Sequence, residues 1–157
     1  MSIDERLASL GITLPAGVTP LGAYLPAVRS GSLVFLSGHV STLLDPPVRG
    51  RLGGDVDLET GRAAARGVAI ALLGTLRAAI GSLDQVQCVV RLTGMVASTP
   101  EFTDQSRVID GASELLTEVF GESGRHARAA FGVVALPAGA ALEIDLVVEA
   151  TAPADPG

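Results

Sequence analysis

Between Asp57 and Gly81 the chain carries one apolar stripe in helical register, and this stretch does most to restrict the folds open to it. Ala65, Val68, Ala69, Leu72, Leu76, Ala79 and Ile80 recur at three- and four-residue spacing, while Arg62, Arg66 and Arg77 gather on another face. Asp57 offers an N-cap and Gly81 a stop, so the spacing predicts a helix to about Ile80. Burying a Leu or Val of that stripe is worth about 1.5–3 kcal/mol, so packing rather than propensity must hold the helix.

The surface it packs on is predicted to be a sheet. Ala23 to Arg29 and Leu33 to Ser37 read as strands around Ser30-Gly31-Ser32, and Val86 to Ala97 as a long strand. A second helix is expected after Thr99, with Pro100 at its first position, a stripe of Val108, Ala112, Leu115, Leu116, Val119 and Phe120, and a stop at Gly121. Two apolar runs then flank Pro137-Ala138-Gly139 and read as a closing hairpin. Ser2 to Leu10 predicts a short amphipathic helix, and the Pro- and Gly-rich stretch Thr42 to Gly54 a loop. Residues 1–157 thus read as one domain with an N-terminal extension over about 1–20 and a flexible tail over 151–157. The fold class is α+β, a mixed sheet with two helices on one face. The other face would stand in water in a monomer, which predicts a closed homo-oligomer.

Composition narrows the function classes. A net charge of −6 argues against a phosphate-tracking surface, so a nucleic-acid partner is not expected. All 11 basic residues are arginine, which removes lysine Schiff-base chemistry. Cys88 is the only cysteine and reads as a buried small hydrophobe; an intrachain disulfide is impossible. The two histidines, His39 and His126, lack partners at metal spacing, so neither metal nor cofactor is expected. The N-terminus lacks the pattern of a signal peptide, and the apolar stretch Val68 to Leu73 is too short to cross a bilayer. The expectation is a cytoplasmic protein with no membrane contact.

Arg128 and Glu143 are the candidate chemistry. A guanidinium grips a carboxylate through a rigid fork, and a partly desolvated glutamate can handle a proton. Were the last two strands a hairpin, the pair would lie roughly 16 Å apart along the strand direction. One small substrate could not touch both, so joint use requires a subunit boundary. From alternation alone, Glu143, Asp145 and Glu149 also read as acids facing water.

Three segments carry a resemblance: GAYLPAVRSGSLVFLSGHV, VIDGASELLTEVFGESGRHARAAFGVV and LPAGAALEIDLVVEA. They resemble the RidA family of imine deaminases, also called YjgF or endoribonuclease L-PSP, in a divergent longer-chain branch. The resemblance covers about residues 21–150 and leaves the first twenty outside the compact core. It implies a chorismate-mutase-like trimer, sheets packed inward as a barrel, with clefts between subunits. It also implies roles. Arg128 would hold the substrate carboxylate, Glu143 would position water, and Tyr24 would line the cleft as a third catalytic group. Ser37, Gly38 and Asp110, with His39 at the cleft rim, would contact substrate. Asp110 stands where the family has asparagine, and a carboxylate there would repel an anion at Arg128. His126 replaces a proline, and Ala130 a frequent cysteine.

The function so implied is hydrolytic deamination of 2-imino acids or a related small carboxylate substrate. The alternative is a non-catalytic small-molecule-binding or regulatory trimer of the same fold. Ribonuclease activity follows only from the older family name, and acidic charge with sparse aromatics weighs against it.

Overall fold

The computed structural model describes residues 1–20 and 22–152. Its main elements are α1 (Ile3–Ser9), β1 (Ala27–Ser30), β2 (Leu33–Val40), α2 (Leu58–Ile80), β3 (Val86–Ala97), α3 (Gln105–Phe120), β4 (Ala127–Val133) and β5 (Leu142–Ala150). The strands form one sheet in the order β1-β2-β5-β3-β4. Every pairing is antiparallel except β3 with β4.

The long helix begins and ends where its sequence demands. The Asp57 side chain accepts from the Thr60 amide at 2.7 Å, and Gly81 takes φ 88° as its C-cap. Its stripe is buried to the last atom at Ala65, Val68, Leu72 and Leu76. By length and composition α2 could cross a membrane, longer than the Val68–Leu73 stretch suggests. Within the fold its apolar face is the protein core, which accounts for that character. It packs mainly over β5 and β2, while α3 lies over β3 and β4.

Three boundaries differ from the sequence expectation. β1 starts at Ala27 rather than Ala23, and β2 runs on to Val40 rather than ending at Ser37. α3 starts at Gln105, not Pro100. Residues 99–102 turn first, with the Phe102 amide on the Thr99 carbonyl at 3.1 Å. The Gln105 side chain then holds Phe102 O and Ser98 Oγ, fixing the helix start after the turn.

The closing hairpin is the larger correction. β4 and β5 are not paired: β3 lies between them, parallel to β4 and antiparallel to β5. Pro137–Gly139 turns the chain, but the turn carries it across β3 rather than back along β4. A parallel pair needs a crossover, and α3 supplies it.

The N-terminal extension packs against the rest of the fold. Leu7 and Leu14 belong to the core, the Ile3 amide donates to Asp84 Oδ1 at 2.8 Å, and Arg6 Nε donates to the Glu118 carbonyl at 2.8 Å. Ser2 and Glu5 form a reciprocal capping box that starts α1. At the other end, Thr151 is tied to Gln85; residues 153–157 of the expected tail lie outside the described residues.

Both long helices sit on one side of the sheet. On the other side Val28, Phe35, Val90 and Phe131 are each more than a third exposed. They share that face with Glu143, Asp145, Val147 and Glu149 of β5. Cys88 also lies on this face, half-buried, with Sγ 3.7 Å from Glu149 Oε2, rather than sealed in the core.

The two helices touch where a side chain is missing. A Cβ added to Gly111 would stand 2.2 Å from the Arg62 carbonyl oxygen. Gly111→Ala should therefore push α3 off α2 and lower stability by about 1–3 kcal/mol. Urea unfolding checks this: the midpoint falls while the slope stays constant.

Candidate active site

Arg128 lies on β4 beside Leu92, and abreast residues share a face of the sheet. Leu92 is fully buried under the helices, so Arg128 faces α3. Its side chain is 20 % exposed and its fork is well occupied. Nη1 donates to Asp110 Oδ1 at 2.8 Å and to Ser113 Oγ at 3.1 Å. Nη2 donates to Ser106 Oγ at 2.5 Å and to the Ser106 carbonyl at 3.4 Å. Nε makes no hydrogen bond among the described residues.

The cluster continues outward. Asp110 Oδ2 is 3.9 Å from Arg62 Nη1, and Arg62 Nη2 pairs with Glu114 at 2.9 Å. Beneath it, His126 fixes the hydroxyl of Ser113. Its Nδ1 lies 2.6 Å from the Gly124 carbonyl and must donate there, so Nε2 accepts from Ser113 Oγ at 2.9 Å. Asp110 therefore pairs with Arg128, where the sequence reading had it opposing an anion there.

Glu143 faces the opposite way. On β5, Leu142, Ile144, Leu146 and Val148 point into the core, so Glu143 and Asp145 stand on the open face. Burial pushes the Glu143 carboxyl above its usual value, and the neighbouring Asp145 adds to the shift. Asp145 is also raised by burial, against a hydrogen bond from Thr93 and the charge of Arg91. Among the described residues Glu143 has no ion-pair partner. Its carboxylate lies over Gly38: a Cβ there would fall 2.1 Å from Oε1.

A bulge in β2 explains that close approach. Leu36 pairs with Leu146 and His39 with Ile144, so Ser37 and Gly38 together oppose Asp145. The extra residue reverses the alternation beyond it. His39 consequently turns inward and is 1 % exposed, not at a cleft rim as the sequence suggested. Its Nδ1 donates to the Ser37 carbonyl at 2.9 Å, leaving Nε2 to accept from the Thr75 hydroxyl at 2.8 Å. Burial lowers its pKa, consistent with a neutral ring. Ser37 Oγ donates to the Leu25 carbonyl at 2.6 Å, tying the bulge to the segment that carries Tyr24. Tyr24 itself sits in a bend before β1, 52 % exposed.

The named residues thus fall into two groups. Arg128 and Asp110 meet on the helix side of the edge strand. Ser37, Gly38 and Glu143 meet on the open face, next to the Tyr24 segment. Arg128 is beside Leu92 and Glu143 beside Met95, three residues along β3 and two strands apart, roughly 14 Å. The separation predicted from a hairpin therefore survives, but intervening β3 and opposite faces produce it. Sequence reading missed Ser106 and Ser113. Their signal was the polar stripe Ser106, Asp110, Ser113, Thr117 at helical spacing beside the apolar one.

Removing the Thr75 hydroxyl tests the buried histidine. Thr75→Val should leave Nε2 without a partner and cost about 1–3 kcal/mol in thermal or urea unfolding. His39 should keep its Nδ1–H tautomer, held by the Ser37 carbonyl, while the Nε2 resonance shifts on losing its donor in ¹⁵N imidazole spectra.

The chain is similar to known proteins. Protein TCP17 of Trypanosoma cruzi is 45 % identical over 149 residues, 94 % of this chain and 93 % of that one. The crystal structure of Atu1372 from Agrobacterium tumefaciens, a protein of unknown function, is 42 % identical with a TM-score of 0.85, covering 96 % and 94 %. A crystal structure from Shewanella oneidensis MR-1 is 31 % identical with a TM-score of 0.90, covering 95 % and 99 %. The family profile described as "YjgF/chorismate_mutase-like, putative endoribonuclease" matches residues 4–149, so it takes in most of the first twenty residues as well. With the sheet, its helices and these matches in agreement, the chain belongs to the YjgF/chorismate mutase-like family, the RidA family of the sequence reading.

Proposed function

We propose that this protein is a cytoplasmic hydrolytic deaminase of reactive 2-imino acids or a related small carboxylate substrate. It works without a cofactor, in clefts between the subunits of a homotrimer. One observation carries the reading: a half-desolvated carboxylate and a preset guanidinium sit on opposite faces of one sheet. Neither group completes a site alone. An exposed apolar face around Glu143 gives a neighbouring subunit something to cover. Bringing the β4 edge of one subunit over the Glu143 region of the next unites the two groups.

In that cleft the substrate carboxylate docks on the guanidinium of Arg128, at Nε and at the position Ser106 holds. Glu143 takes a proton from water, whose oxygen bonds to the imine carbon and gives a tetrahedral aminoalcohol. Glu143 returns that proton to nitrogen, the C–N bond breaks as the hydroxyl gives its own proton to Glu143 and becomes the carbonyl, and ammonia leaves with a 2-oxo acid as the second product. Imines hydrolyse unaided, so positioning and proton transfer are sufficient help. The raised pKa of Glu143 suits the task, because it makes the carboxylate a stronger base towards water. A second reading, a binding or regulatory trimer without turnover, is favoured by the full occupation of Nη1 and Nη2 by Asp110, Ser106 and Ser113.

The purified chain should speed 2-oxo acid formation from imino acids generated by an amino acid oxidase. Arg128→Ala should lower kcat/KM about tenfold or more, and Glu143→Gln about a hundredfold or more. No acceleration with any imino acid ends the enzymatic reading; saturable binding without turnover establishes the second one.

Glu143 also sets a pH signature. Its folded pKa is raised, so between the ordinary and raised values the folded chain binds more protons than the unfolded one. Stability should fall as pH climbs through that window. Glu143→Gln should flatten this fall and be the more stable protein at neutral pH, as read by urea midpoints across a pH series.

A further inference from the structure

The Arg128 cluster is electrically balanced. Arg128 and Arg62 bring two positive charges; Asp110 and Glu114 bring two negative ones, all joined by contacts of 2.8–3.9 Å. A balanced cluster does not attract a net anion from water as a bare arginine does. It does attract a molecule bearing both signs at matching spacing. Asp110 is placed for this. Its Oδ1 is taken by Arg128, while among the described residues Oδ2 has only the long 3.9 Å approach of Arg62, whose short bonds go to Glu114 and the Arg107 carbonyl. The Asp110 side chain is 38 % exposed, so this oxygen is open to a donor.

From this we infer that Asp110 selects the charge state of the ligand: the site takes zwitterions carrying an N–H cation beside the carboxylate, in preference to plain carboxylates. The inference rests on the function proposed above and names the substrate class of the same site. The carboxylate sits on Arg128 and the protonated nitrogen donates to Asp110 Oδ2. A 2-imino acid with its nitrogen protonated fits this description. Its hydrolysis product does not, because a 2-oxo acid keeps the carboxylate and has lost the cation. Asp110 thereby favours substrate over product at the step where the product must leave. Ser106, Ser113 and His126 act as positioning residues, since they hold the guanidinium at a fixed distance from Asp110.

Three stable probes separate the terms: L-alanine, propanoate and pyruvate, titrated by ligand-observed NMR into the full-length protein. Propanoate is alanine without its ammonium group, and pyruvate is the corresponding oxo acid. The wild type should bind alanine about tenfold or more tighter than either carboxylate, the worth of one charge-assisted hydrogen bond. In Asp110→Asn, which keeps an oxygen for Arg128 to hold, that ratio should collapse towards one. Carboxylates that bind the wild type as well as alanine does overturn the charge selection and leave Arg128 as the anchor. A preference that persists in Asp110→Asn overturns the role of Asp110. If none of the three binds, the reading of Arg128 as a carboxylate anchor fails with it.

Discussion

The parallel pairing of β4 with β3 is the constraint on which the rest of the structure depends. Strands paired in parallel cannot be joined by a tight turn, so the chain must cross the sheet through α3. That crossing sets α3 above the edge strand and aims its polar stripe at Arg128. It also leaves the central slot between β2 and β3 for β5, whose alternating sequence then seals the core with one face and carries acids on the other. The distance between guanidinium and carboxylate is thus a product of topology. No rotamer change within one chain closes it.

Polar side chains inside the fold follow a strict accounting. Each ring nitrogen of His39 and of His126 has one partner, and those partners determine the tautomer. Among the described residues no buried side-chain nitrogen or oxygen lacks a hydrogen bond. Glu143 is the contrast. It is partly desolvated, pushed up in pKa, and without an ion-pair partner among the described residues, so it does not hold the fold together through a salt bridge.

How much of this was legible in the sequence varied with the range of the interaction. The long helix was readable because its cap, stripe and stop are local signals, and Val86–Ala97 because its valine-rich, largely apolar stretch follows a clear helix stop at Gly81. The false hairpin arose where local signals end: two strands around a Pro-Ala-Gly turn look adjacent, and nothing nearby announces the strand inserted between them. His39 was misplaced for a related reason. Alternation predicts faces only while the register is unbroken, and the bulge at Ser37 and Gly38 breaks it by one residue. Arg128, Glu143 and Asp110 were identifiable by family resemblance. That Asp110 partners Arg128 depends on α3 lying over β4, a long-range fact. The first twenty residues read as an extension because their contacts, such as Leu7 in the core and Ile3 on Asp84, lie far along the chain.

The carboxylate of Glu143 resting on the bare backbone of Gly38 ties two distant positions into one hereditary unit. A side chain at 38 would enter the volume that the acid now fills, so the carboxylate must swing off the backbone when the glycine changes. A shorter residue at 143 would in turn release position 38 to drift. Changes at the two positions should therefore be coupled, whatever drives the first of them.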